Sequence, residues 1–100
     1  MNCSQPELSV IITSFNTAPI LEKCLDNLLR LELKPEIIVV DNASTDGSVE
    51  MVKHRFPEVI LVALGENKGL SFGNNTGAKL ATADLLLFLG SDAFPQLKTL

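Results

Sequence analysis

The chain has 100 residues, 46% of them hydrophobic and 20% charged, with a formal charge of −4. This is enough for one globular domain with a small core and too little for two. The acidic balance, with no basic stripe and no aromatic interleaving, excludes a phosphate-backbone binder and hence a nucleic-acid partner.

Residues 8–13 (Leu-Ser-Val-Ile-Ile-Thr) are short, β-branched and nearly continuous in apolar character, the pattern of a strand covered on both faces of a parallel sheet. Pro19 then suits a first helical turn, and Leu21, Cys24, Leu25, Leu28 and Leu29 recur at helical spacing before Pro35. Residues 36–40 repeat the buried-strand signal and stop at Asp41-Asn42-Ala43-Ser44-Thr45-Asp46-Gly47, a run of turn and cap residues. A shorter helix is predicted over 48–55, closed by Pro57, and a third strand over 59–64. The stretch 70–81 reads as a third helix, with Gly73 and Gly77 giving it a small-residue face. A fourth strand over 84–89 runs into Gly90-Ser91-Asp92-Ala93. Four strands alternating with three helices predict an α/β fold, a mainly parallel sheet flanked by helices with right-handed crossovers. Residues 1–7 are expected to be a tail and 8–100 the domain.

The aliphatic runs at 10–12, 37–40 and 85–89 are too short to cross a bilayer, which takes roughly 20 apolar residues. No secretory signal pattern opens the chain, so a cytosolic setting is expected, with attachment at the inner membrane face left open for a full-length protein. Cys3 and Cys24 read as plain thiols, since no Cys and His spacing resembles a zinc site. Sequons at Asn2, Asn42 and Asn75 carry no weight without a signal peptide. His54, between Lys53 and Arg55 on a helix, reads as solvated.

In open α/β sheets, ligands bind outside the carboxyl ends of the strands. Here the strands end in Thr13-Ser14-Phe15-Asn16, Asp41-Asn42, Asn67-Lys68-Gly69 and Ser91-Asp92, so four polar loops are expected on one rim. Asp41 follows Val40 without a spacer, which holds its carboxylate at the sheet edge, able to accept a hydrogen bond from a base or a ribose. A dinucleotide fold also needs a glycine-rich turn after the first strand, and Ser14-Phe15-Asn16 has no glycine. Ser44 and Asp46 are as readily helix caps as ligand contacts. Asp92 is either a turn residue or one ligand of a hard divalent cation.

In this order and spacing the blocks resemble the family-2 glycosyltransferases, inverting enzymes on the GT-A fold. The resemblance runs through residues 8–16, Leu21 with Cys24-Leu25, residues 38–48, Glu66-Asn67-Lys68-Gly69, Asn75-Thr76-Gly77 and residues 87–92. Asp-Asn-Ala-Ser after the second strand is most similar to the rhamnosyltransferase-like branch. The resemblance implies the Rossmann-like, nucleotide-binding half of a GT-A fold, binding a UDP-, dTDP- or GDP-linked sugar. Thr13, Ser14 and Asn16 would frame the base pocket, and Asp41 would accept the ring N–H of uracil or a similar base. Asn42 and Ser91 would line the site beside the two acids, and Lys68 would lie near the base or diphosphate. Asp92 matches the last acid of the family's metal motif, for Mg²⁺ or Mn²⁺ bridging the phosphates. Where that motif often carries Asp or Asn two positions earlier, this chain has Gly90. The metal would then be held more weakly, by Asp92 with water and phosphate, or with a ligand from elsewhere in the protein.

The family's catalytic base, which takes the proton of the attacking acceptor hydroxyl, comes from beyond the fourth strand. These 100 residues are therefore expected to bind the donor without transferring the sugar to a sugar or lipid-linked acceptor. The alternatives are a nucleotidyltransferase-like fold, which would want a glycine-rich, basic first loop, and a non-catalytic nucleotide-binding α/β domain. A receiver-like version of the latter would want an acidic cluster where Thr13-Ser14 stands.

Overall fold

The computed structural model describes residues 6–90, as strands β1 (Leu8–Ser14), β2 (Glu36–Asp41), β3 (Ile60–Ala63) and β4 (Leu85–Gly90) and helices α1 (Ala18–Leu29), α2 (Ser48–Arg55) and α3 (Gly69–Leu80). All strand pairs are parallel, in the order β3-β2-β1-β4. Whereas β4, which has the longest continuous apolar run, lies at the edge among the described residues, β1 and β2 occupy the middle with both faces covered. Their side chains alternate between two cores. Val10, Ile12, Ile37 and Val39 meet Leu21, Leu25 and Leu28 of α1 and Val52 of α2. Ile11, Ile38 and Val40 form the smaller core on the other face.

That second face is covered by α3, and its glycines explain how closely the helix sits. Gly73 and Gly77 are buried, and a Cβ at Gly73 would lie 2.5 Å from Cγ2 of Thr13, while one at Gly77 would overlap Ile11. The small-residue face predicted for this helix is thus the face against the sheet. Leu70, Phe72 and Leu80 of the same helix are exposed. β4 is an edge strand among the described residues, and Leu85, Leu86 and Phe88 are exposed there.

Two polar devices tie the layers. At the amino ends of the strands, Oε1 of Glu36 accepts hydrogen bonds from the Ser9 hydroxyl (2.6 Å) and the Thr82 N–H (2.9 Å), joining β2, β1 and the approach to β4. On the outer surface Arg55 of α2 pairs with Glu22 and, at 3.5 Å, with Asp26 of α1, an exposed cluster that adds little stability. Cys24 is buried in the larger core, and burial pushes its thiol up to about 11. His54 is exposed on α2. Cys3, the sequon at Asn2 and most of the predicted tail lie outside the described residues, and no described helix is long and apolar enough to cross a membrane. The sequon at Asn42 is buried.

Candidate functional site

The chain steps outward from β1 to β2 to β3 and then returns past β1 to β4, with α1 and α2 on one face and α3 on the other. The strand order therefore reverses between β1 and β4, and the loops leaving their carboxyl ends part to form a crevice. A cleft of about 370 Å³ opens there, walled by Thr13, Ser14, Phe15, Asn42, Asn67 and Gly90 among others. A second cavity of about 400 Å³ lies at the amino ends of β2 and β3, beside Pro35, Glu58 and Ile60. Size does not separate the two; the polar strand ends do, since Thr13, Ser14, Asn42 and Asn67 line the first and none of them lines the second.

Parallel register brings these ends level, with Ser14 beside Asp41 and Thr13 beside both Val40 and Gly90. Thr13 points to the α3 face, and its hydroxyl donates to Oδ1 of Asn74 at 3.0 Å. Ser14 points the opposite way, with its hydroxyl 3.3 Å from that of Thr17. Asp41 is 1% exposed and is not among the residues that line the cleft, although Ser14 beside it and Asn42 after it are. Its Oδ2 accepts the Ser44 N–H at 2.8 Å, which closes the turn after β2, while its Oδ1 is buried and has no hydrogen-bond partner. Asn42 joins the third loop to this rim: Oδ1 accepts the Lys68 N–H at 3.1 Å and Nδ2 donates to the Gly69 carbonyl at 3.3 Å.

The loops after β1 and β2 are bonded to each other. The Asn16 N–H donates to the Ser44 hydroxyl and the Thr45 N–H to Oδ1 of Asn16, both at 2.8 Å. Asp46 accepts the Ala18 N–H on Oδ2 at 3.0 Å and the Ser48 N–H on Oδ1 at 3.1 Å, so one carboxylate caps the first turns of α1 and α2 together. The Ser48 hydroxyl also donates to Oδ1, and this bond more than any other holds the Asp46 carboxyl below its ordinary range. Of the two residues that the sequence left between cap and ligand, Asp46 caps, whereas Ser44 bridges the loops. Asn16 spends its side-chain oxygen on the same bridge.

Lys68 turns its ammonium to Glu66 at 3.1 Å and over the Phe72 ring at 5.2 Å, outside the cleft wall; its backbone supports Asn42. Ser91 and Asp92 lie outside the described residues. Among the described residues no three His, Cys, Asp or Glu side chains cluster as a metal site. The cleft also uses Phe15, Asn67 and Leu70, which sequence reasoning did not assign. For Phe15 a signal existed: an aromatic residue stands in an otherwise polar loop at the end of a central strand, and it is 47% exposed.

The family model described as Glycosyl transferase family 2 matches residues 9–100. A PGL/p-HBAD biosynthesis glycosyltransferase of Mycobacterium bovis is 34% identical over 91 residues, covering 87% of this chain and 36% of that protein. The mannosyltransferase PcManGT from Pyrobaculum calidifontis, solved with GDP-Man and Mn²⁺, superposes with a TM-score of 0.78 at 30% identity, over 95% of this chain and 30% of that one. Residues 1–349 of TarS from S. aureus, solved with UDP, superpose with a TM-score of 0.77 at 26% identity, over 86% and 27%. The chain thus spans about a third of the length of these proteins.

Proposed function

The chain belongs to glycosyl transferase family 2, and from that premise we propose that the cleft between β1 and β4 binds the nucleoside diphosphate of a sugar donor, in a protein that transfers the sugar to an acceptor hydroxyl with inversion. The observation that carries this reading is Oδ1 of Asp41, a buried acceptor without a donor at the carboxyl end of a central strand, set behind the cleft-lining Asn42 and Ser14 rather than in the cleft wall itself. Leaving such a group unpaired costs about 1–3 kcal/mol, and a base N–H would complete it. Phe15 and Leu70 supply apolar surface for a flat ring, and Thr13, Ser14 and Asn42 supply polar groups around it. GDP-Man and UDP, each solved with a structural relative, both carry the nucleoside diphosphate for which this cleft is proposed.

The diphosphate would extend toward the end of β4, where Ser91 and Asp92 follow in sequence. Mg²⁺ or Mn²⁺ held by Asp92 would supply Lewis-acid neutralisation of the leaving diphosphate. We assign no catalytic base within residues 6–90, and the acceptor, whether a sugar or a lipid-linked sugar, belongs to the rest of such a protein. Asp-Asn-Ala-Ser after β2 favours the rhamnosyltransferase-like branch, and a cytosolic active site goes with it.

Calorimetric titration of UDP, dTDP and GDP with and without Mn²⁺ tests the reading. Metal-dependent binding of at least one is expected, lost in Asp41→Ala and kept in a control at the exposed α2 acid, Glu50→Ala. A folded chain that binds none of the three overturns it.

A further inference from the structure

The two loops that flank Asp41 both contain a non-glycine residue in left-handed backbone, Asn16 at φ 53° and Ala43 at φ 65°. Such residues persist only where their surroundings hold them. The bonds that do so here run between residues 28 or 29 apart in sequence: Asn16 to Ser44, Thr45 to Asn16, and Ala18 to Asp46. Ser44 is the junction, because its hydroxyl receives the Asn16 N–H while its own N–H goes to Oδ2 of Asp41. That second bond selects which carboxylate oxygen of Asp41 is left over.

We infer that Asp46 is a positioning residue for the base pocket: by capping α1 and α2 at once it locks the β2 loop to the β1 loop through Ser44, and so fixes the carboxylate of Asp41. The lock needs two acceptor oxygens on one side chain, one for Ala18 and one for Ser48. An asparagine puts an NH2 group where one of these two oxygens stands, and that group cannot accept the N–H it faces. Hydrophobic packing of α1 and α2 does not depend on this choice, since their buried residues belong to the larger core. The geometry of the lock stands on its own; its effect on binding rests on the nucleotide-site reading above.

Amide hydrogen exchange and UDP titration with Mn²⁺, on the whole chain, test both parts. In Asp46→Asn and in Ser44→Ala the amide of residue 44 should exchange about tenfold faster while that of Ile11, in the central strand, keeps its wild-type rate. A role confined to overall stability would speed both amides together, and that result, or no change at residue 44, overturns the inference. UDP affinity should fall about tenfold in the same two variants, the scale of one lost charge-assisted hydrogen bond, and Ser44→Thr, which retains the hydroxyl, should restore it. Wild-type affinity in Asp46→Asn would refute the link to the pocket. If the wild-type chain binds neither UDP, dTDP nor GDP, the ligand assignment of the cleft fails, and the exchange at residue 44 still decides whether Asp46 positions Asp41.

Discussion

Replacing Gly77 by Ala puts one methyl group between α3 and the sheet, where the Cβ would overlap Ile11. Ile11 is fully buried, and a β-branched side chain on a strand has few rotamers to escape into. Two effects oppose each other. Alanine gains about 1 kcal/mol over glycine in a helix interior, whereas forcing a methyl into a packed core costs about 1–3 kcal/mol. The overlap is deep and involves the stiff side of Ile11 rather than a flexible tip, so the cost belongs at the upper end and the net loss is about 1–2 kcal/mol. For a domain of this size that lowers the melting temperature by about 5–15 °C, read by circular dichroism and checked by urea unfolding. A Gly77→Ala protein as stable as wild type, or more so, would refute the close helix-to-sheet approach. Gly73→Ala adds a second readout, because its Cβ meets Thr13 in the cleft wall at 2.5 Å. It should weaken UDP binding, whereas Gly77→Ala should not.

Three further outcomes are expected. Glu36→Ala leaves donors on Ser9 and Thr82 without their acceptor and should cost about 1–3 kcal/mol in urea unfolding, with Glu36→Gln recovering part of it. The carboxyl of Asp46 titrates below its ordinary 3.8, so it contributes stability above that pH and loses the contribution as pH falls through the lower folded value. Melting temperature measured from pH 2 to 7 should accordingly converge between wild type and Asp46→Asn in the acid range, and a gap that persists at pH 2 would contradict the sign. With its thiol pushed up to about 11 and buried, Cys24 in a Cys3→Ser protein should react with an aromatic disulfide at pH 8 only as fast as the chain unfolds. Rapid labelling in the folded state would place Cys24 outside the core.

Much of the rim was legible because its signals are local. Asp41 follows four apolar residues directly, and the strand period alone puts its side chain on the face of Ile37 and Val39, toward the first turn of α2. The resemblance to family-2 glycosyltransferases, carried by short blocks in fixed order, agrees with the family match over 9–100. Phe72 and Leu80 were harder. Apolar character suggests burial, yet both are exposed, and what α3 buries is Gly73 and Gly77. The side chain of Lys68 was read by loop position, but a neighbouring acid and ring hold its ammonium away from the cleft wall.

Strand and helix identity, the parallel class and the polar ends of the strands were determined by the sequence alone, since each depends on residues within a few positions of one another. Strand order, the reversal between β1 and β4, the spare oxygen of Asp41 and the double cap by Asp46 were decided only in the tertiary structure. Strand order, the reversal and the Ala18 half of the double cap are pairings across tens of residues, as is the bond between Asn16 and Ser44 that holds the turn beside Asp41. Periodicity within one segment shows which face of it is apolar, but not which distant segment that face will meet.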